Sequence, residues 1–288
     1  MSSDTPPLDQ LSAQGVAERL FDAESRVLPA VRAAAPQVAD AAELIAARMA
    51  DGGRLVLIGA GTSGRLAVLE AAELPGTFGL SRDRVAARTA GGGPGGLTGT
   101  DGDEDDVDAG RADLTSTLFA AGDVLVAVAA SGRTPYTLAA VELARQLGGA
   151  VVSVTTVTPS PLAAAADVAI EVPIGPEVLR GSTRLTAGTA QKLVLDAVTT
   201  AAMVRLGRVH GDVMIDVVPA NEKLRARSAG LVAEIVGCPP DQALGVLDEC
   251  DGNARAAVLR LSAGLSPAEA AALAAGHRTL RAALAASR

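Results

Sequence analysis

Short β-branched runs alternating with Ala/Leu patterns of helical period organise the first two-thirds of this chain. Residues up to about 50 read as helical, interrupted at Pro36 and closed by Asp51-Gly52-Gly53. Apolar runs of strand length follow at 54–58, 84–88, 123–128, 150–155 and 168–172, and helical patterns fill 65–74, 111–120 and 135–147. Strands separated by helices predict a parallel sheet covered on both faces, an α/β architecture. We expect five strands in the flavodoxin-like, doubly wound order. A long helix is predicted from Ser182 to about Leu206. Beyond Pro219 the pattern is helical throughout, broken at Cys238-Pro239-Pro240, Asp251-Gly252-Asn253 and Gly264-Leu265-Ser266-Pro267. The expected organisation is an N-terminal helical segment over 1–44, an α/β domain over 45–218 and a small helical bundle over 219–288.

Composition narrows what such a fold does. Among 288 residues there are one Tyr, three Phe and no Trp, so Ala, Val, Leu and Gly must build the core. Single-stranded nucleic acids, which bind by stacking on aromatic rings, are poor candidates as ligands. The formal net charge of −8 also disfavours a phosphate backbone as partner, although one small phosphate needs only a local pocket. Cys238, Cys250, His210 and His277 are too few and too scattered for a disulfide framework or a His-rich metal centre. No basic start followed by an apolar run opens the sequence, and no apolar run is long enough to span a bilayer. The expectation is a soluble cytoplasmic protein.

Two loops carry the chemistry. The first strand is followed by Gly59-Ala60-Gly61-Thr62-Ser63-Gly64 and a helix; the third is followed by Ala129-Ala130-Ser131-Gly132-Arg133-Thr134-Pro135 and another. Small residues let the backbone approach an anion, while helix N-terminal N–H groups and hydroxyls donate to it. In a flavodoxin-like order the first and third strands flank the topological switch, so both loops open onto one crevice. Gly59 to Gly64 also fits a dinucleotide fingerprint, but Val85-Ala86-Ala87-Arg88-Thr89 lacks the carboxylate that fingerprint requires. A dehydrogenase survives only if Arg88 served a 2′-phosphate. A third element, Gly181 to Lys192, places Ser182 and Arg184 at the start of a helix, where they either contact an anion or simply cap that helix.

Two carboxylates complete the candidates. Glu73 shares a helical face with Leu66 and Leu69, which predicts a buried carboxyl with a raised pKa, just before Leu74 and Pro75 end the helix. The competing reading is a helix-end Glu paired with an Arg. Glu104 lies in the acidic run Asp101-Gly102-Asp103-Glu104-Asp105-Asp106, after a loop at 90–96. A calcium loop is excluded, because Asp106 stands where glycine is needed and Ala112 where a bidentate Glu is needed. The residues alone do not separate Glu104 from its neighbours.

Several blocks together resemble one family. Residues 59–65, 72–79, 129–136, 181–192 and 206–217 closely resemble signature segments of the N-acetylmuramic acid 6-phosphate etherases, a similarity running from about residue 24 to the end. The resemblance implies a sugar isomerase (SIS) domain followed by a small helical region, a homodimer, no cofactor, and a phosphorylated amino sugar as ligand. It implies removal of D-lactate from N-acetylmuramic acid 6-phosphate by elimination and hydration, leaving N-acetylglucosamine 6-phosphate. By motif match, Glu73 resembles the proton donor to lactate and Glu104 the second catalytic glutamate, the base at C2. Ser63, Gly64, Ser131, Gly132 and Thr134 would bind phosphate or sugar hydroxyls, with Ser182 and Arg184 as further contacts. The chain departs from the family pattern before residue 24, at Gly93-Pro94-Gly95-Gly96 and at Thr186, which often is Lys. Alternatives on the same fold are a non-catalytic phosphosugar sensor and an aldose–ketose isomerase.

Overall fold

A computed structural model describes residues 6–92, 99, 101–219 and 221–287; the part of the 90–96 loop beyond Gly92 lies outside them. The chain forms two compact units, one of residues up to Ala71 with Ala86–Thr199, the other of Ala72–Val85 with the residues from Thr200 onward.

The first unit is built on a five-stranded sheet. Its elements run α1 (Ala13–Glu24), α2 (Val27–Ala33), α3 (Ala35–Ala50), β1 (Leu55–Gly59), α4 (Gly61–Phe78), β2 (Val85–Thr89), α5 (Val107–Ser116), β3 (Val124–Val128), α6 (Pro135–Gln146), β4 (Ala150–Thr155), α7 (Pro161–Ala164), β5 (Val168–Glu171) and α8 (Thr186–Arg205), with α4, β2 and α8 reaching into the second unit. The strand order is β2-β1-β3-β4-β5, the flavodoxin-like order expected. β1 pairs with β3, β3 with β4 and β4 with β5, all in parallel. Burial follows position. Every residue of central β1, β3 and β4 is buried, whereas edge strands β2 and β5 are mostly half-buried. Continuous apolar runs belong in strands covered on both faces, and mixed runs at edges. The helix α6 lies on β1, β3 and β4 through Ala140, Val141 and Ala144, and Tyr136 is among the largest fully buried side chains. Alanine faces thus replace the missing aromatics by letting helices sit close to the sheet.

Two expectations for α4 need correction. Pro75 does not end it; the helix passes through Pro75 to Phe78, and Gly79, at φ +61°, follows. Nor is the Leu66/Leu69/Glu73 face the buried one. Ser63, Gly64, Ala67, Ala71, Leu74 and Phe78 are buried, while Leu69 is 49 % exposed and Glu73 is exposed. Close approach at the start of the helix selects small side chains for its inner face there, and Leu69 is left pointing outward. Pro36, read as an interruption, stands in the first turn of α3, where its missing N–H costs nothing.

An ion pair clamps the lower ends of β1 and β3. Asp123, buried, accepts from the Arg54 backbone N–H at 2.8 Å and from Arg54 Nη2 at 2.6 Å. Arg54 Nη1 also donates to the Thr117 carbonyl at 2.6 Å. Burial alone would raise the Asp123 pKa, but hydrogen bonds from Arg54 and the Ala120 N–H prevail and hold it below the ordinary 3.8.

The second unit holds a two-stranded hairpin absent from the sequence reading, β6 (Val209–His210) and β7 (Val213–Met214), and a bundle of α9 (Glu222–Val236), α10 (Pro240–Glu249), α11 (Ala254–Ala263), α12 (Pro267–Gly276) and α13 (Leu280–Ala286). Each strand has only two residues, too short for a period to register. α10, α11 and α12 begin where the sequence placed its breaks, while the break before α13 was not foreseen. Asn221, Asn253, Ser266 and Thr279 cap α9, α11, α12 and α13 with their side chains, and Gly237 and Gly264 end α9 and α11 in the left-handed conformation. Asp216 is held by Arg255 through bonds of 2.5 and 2.6 Å and by Arg208 at 3.2 Å.

The Arg54–Asp123 clamp generates a stability prediction. Because the folded pKa of Asp123 is depressed, its contribution is present above 3.8 and lost as pH falls through the folded value. Asp123→Ala should cost about 3 kcal/mol at pH 7 by strand-end rupture and an unpaired arginine. In urea melts followed by circular dichroism, that difference should narrow below pH 3.8.

Candidate functional site

The β1–α4 junction is shaped by close approach. A Cβ at Gly59 would lie 2.8 Å from the Val128 carbonyl oxygen, and one at Gly64 only 2.1 Å from Thr89 Oγ1 and 2.6 Å from the Gly59 oxygen. These glycines let α4 start directly off the end of β1. Gly61 serves differently: its φ is +53° and nothing stands within 4 Å of an added Cβ, so it makes the turn and borders open space. The first helical bond runs from the Gly64 N–H to the Ala60 carbonyl at 3.1 Å, so the N–H groups of Gly61, Thr62 and Ser63 precede the helical ladder. No acidic residue occupies the first turn of α4. This is a helix end electrostatically suited to an anion.

The β3–α6 junction repeats the design with different parts. Gly132 has φ +61°, and a Cβ there would fall 2.4 Å from Ser160 Cβ. Thr134 stands at the N-cap of α6 without a side-chain capping bond, and Pro135 follows. Its hydroxyl is therefore not consumed by the helix. Ser131 is exposed, and its oxygen accepts from the Arg133 N–H at 3.2 Å. The register pairs Gly59 with Val128, so both junctions leave the sheet at the same edge. In a doubly wound sheet this switch point is where a ligand crevice is expected.

At α8, the expected helix-end anion position is held by the chain itself. Glu177 accepts from the Thr186 N–H at 3.1 Å, the Thr186 hydroxyl at 2.6 Å and the Ala187 N–H at 2.9 Å. Ser182, half-buried, and Arg184, exposed, lie in the turns just before the helix. Glu177 sits nine residues upstream of Thr186, outside any local capping motif, which is why the sequence did not show it. α8 in turn packs on the start of α4: Ser63 Oγ donates to Gln191 Oε1 at 3.0 Å, and Glu70 Oε1 accepts from Thr199 Oγ1 at 2.5 Å. Burial raises the Glu70 pKa, the Thr199 bond opposes that, and Asp196 adds to it. Glu70 is thus the half-buried carboxyl on this part of α4, and Glu73 is exposed.

The acidic run is not merely solvated. It forms a short 3-10 turn, Asp101–Asp105, beside α6. Asp106 caps α5 by accepting from the Ala109 N–H at 2.8 Å, and Gly110 on α5 sits so near α6 that an added Cβ would be 2.2 Å from the Tyr136 carbonyl. Tyr136 donates to Asp113 at 2.6 Å across the same contact. The segment bearing Glu104 is thereby tied to the first turn of α6, the helix that leaves the second loop. Asp103 and Asp106 both have partners; Glu104 is exposed and has none among the described residues. Asp105 is exposed in the same way, so the structure sets Glu104 apart from Asp103 and Asp106 but not from Asp105. The structure thus brings Ser63, Gly64, Ser131, Gly132, Thr134, Ser182, Arg184 and Glu104 into the first unit, while Glu73 belongs to the second.

Comparison with known proteins shows the fold and the family. Residues 108–201 match the family described as SIS domain, and residues 37–145 match the glucokinase regulatory protein N-terminal SIS domain. Among solved structures, a protein of Escherichia coli CFT073 superposes with a TM-score of 0.51 at 21 % identity, covering 70 % of this chain and 97 % of that one. Phosphoheptose isomerase from Neisseria gonorrhoeae does so with a TM-score of 0.50 at 22 % identity, covering 66 % and 97 %. These likenesses establish the fold. N-acetylmuramic acid 6-phosphate etherase 2 of Vibrio cholerae is 44 % identical over 93 % of this chain and 88 % of its own length. The etherase of Streptomyces coelicolor is 47 % identical over 97 % and 90 %, and that of Symbiobacterium thermophilum 45 % over 90 % and 86 %. With that identity sustained along nearly its whole length, the chain belongs to the N-acetylmuramic acid 6-phosphate etherase family.

Proposed function

We propose that this protein is a carbon–oxygen lyase that releases D-lactate from N-acetylmuramic acid 6-phosphate, leaving N-acetylglucosamine 6-phosphate, in the recycling of cell-wall sugar. The observation that carries the reading is the pair of glycine–hydroxyl junctions at one sheet edge, each opening a helix whose N-terminal end favours an anion. The 6-phosphate binds there, with Ser63, Ser131 and Thr134 donating hydroxyls and Gly64 and Gly132 keeping the backbone close. Ser182 and Arg184 contact more distant parts of the substrate. No helix among the described residues is long and apolar enough to cross a membrane; the enzyme works in the cytoplasm as a homodimer.

The chemistry follows from the substrate. In the open-chain sugar the C2 proton is α to the aldehyde and therefore acidic, and the lactyl ether at C3 is β to it. Glu104, unpaired and exposed, removes the C2 proton. The electron pair forms the C2–C3 double bond as the C3–O bond breaks, and Glu73 protonates the departing lactate oxygen. Water then adds to C3 of the unsaturated aldehyde and a proton returns to C2, which gives the product sugar. General acid–base catalysis of this kind contributes about 10²- to 10⁴-fold per group.

Purified protein incubated with N-acetylmuramic acid 6-phosphate should release D-lactate in equal amount to N-acetylglucosamine 6-phosphate, read by a coupled lactate assay. Tight binding without release would instead assign a phosphosugar sensor. Ketose formation without lactate would assign an isomerase. Glu73→Gln and Glu104→Gln should each lower kcat by about 10²-fold or more and leave product binding, followed by calorimetry, nearly unchanged. Unaltered kcat in either variant removes that residue from the mechanism.

A further inference from the structure

Behind the β1–α4 junction lies a buried carboxamide. Gln191, on the second turn of α8, is 1 % exposed, and its Oε1 accepts from the hydroxyl of Ser63, itself 8 % exposed. Gly188, three residues earlier, lies beside the same junction: an added Cβ there would stand 3.4 Å from Thr62 Cγ2, in van der Waals contact. The Gln191 Nε2 is also buried and has no hydrogen-bond partner among the described residues. A carboxamide nitrogen carries two donors, and burying both unpaired is unfavourable.

Ser63 has a single hydroxyl proton. While it donates that proton inward to Gln191, it offers only lone pairs to the junction, the wrong polarity for a phosphate. Rotating the carboxamide by half a turn about its last bond exchanges its oxygen and nitrogen and moves no backbone. Nε2 then donates to Ser63 Oγ, which satisfies one of its two donors, and the hydroxyl proton turns outward. A phosphate favours that state, because the bond it gains is charge-assisted. We propose that Gln191 is a positioning residue whose carboxamide sets the direction of the Ser63 hydroxyl and reverses when a sugar phosphate binds. This inference rests on the reading that Ser63 meets the substrate phosphate.

Steady-state kinetics on the wild type, Gln191→Met, Ser63→Ala and the double variant test it. Gln191→Met should raise KM for N-acetylmuramic acid 6-phosphate roughly 3- to 10-fold, the worth of one hydrogen bond, with kcat kept within about twofold. Added to Ser63→Ala, the same substitution should leave KM unchanged, since there is no hydroxyl left to orient. An equal rise in both backgrounds, or no rise in a folded Gln191→Met chain, overturns the proposal. Gln191→Leu, of similar volume, answers the same question should the methionine variant not fold. A different outcome would strike the underlying reading: unchanged KM and unchanged inhibition by inorganic phosphate in Ser63→Ala would take Ser63 out of the phosphate site. Raised KM in Ser63→Ala with an additive Gln191 effect would refute the coupling alone.

Discussion

Parallel pairing of β1 with β3 in a single register is the constraint on which the candidate site depends. The Arg54–Asp123 ion pair fixes that register at one end, and the match of Gly59 with Val128 is its consequence five residues later. A slip of one residue would invert the faces of a buried strand, a penalty that the continuous apolar sequence of β3 on both faces would not itself impose. The polar clamp therefore supplies what the hydrophobic pattern lacks. With strand order 2-1-3-4-5, chain direction reverses its progress across the sheet between these two strands, and the helices that follow them leave on opposite sides. Such a switch point is where doubly wound sheets usually bind their ligands.

What lines that space is decided by local crowding and by hydroxyl chemistry. Gly64 and Gly132 are required because side chains there would collide with Thr89 and Ser160. Ser63 and Thr134 differ in their inner partners. Ser63 is backed by Gln191, whereas Thr134 leaves its helix uncapped and its hydroxyl unassigned. Glu104 is carried to the same neighbourhood by the tight α5–α6 contact at Gly110 and Tyr136. The acidic net charge of −8 and the proposed phosphate-binding role are compatible, because helix N-terminal N–H groups rather than lysines would provide the attraction.

Strand positions, their order and the two loops were legible in the sequence because β-branched runs and glycine–hydroxyl clusters are local signals. The breaks between α9, α10, α11 and α12 in the C-terminal bundle were legible for the same reason. The inner face of α4 was not: hydrophobic weight points to Leu66 and Leu69, but close packing on a sheet selects Ala67 and Ala71. Contacts between segments distant in sequence were equally hidden. Ser63 with Gln191, Glu177 with the start of α8, and Asp123 with Arg54 each join residues whose pairing no local pattern encodes. The resemblance at 59–65, 129–136 and 181–192 pointed to these segments as functional without revealing how they meet.

The most direct test of a phosphate held across the first and third strand–helix junctions is a crystal structure with N-acetylglucosamine 6-phosphate bound. The account predicts phosphate oxygens within hydrogen-bonding distance of the N–H groups at 61–64 and of the hydroxyls of Ser131 and Thr134. Phosphate density anywhere else on the chain, with these two junctions unoccupied, would contradict it.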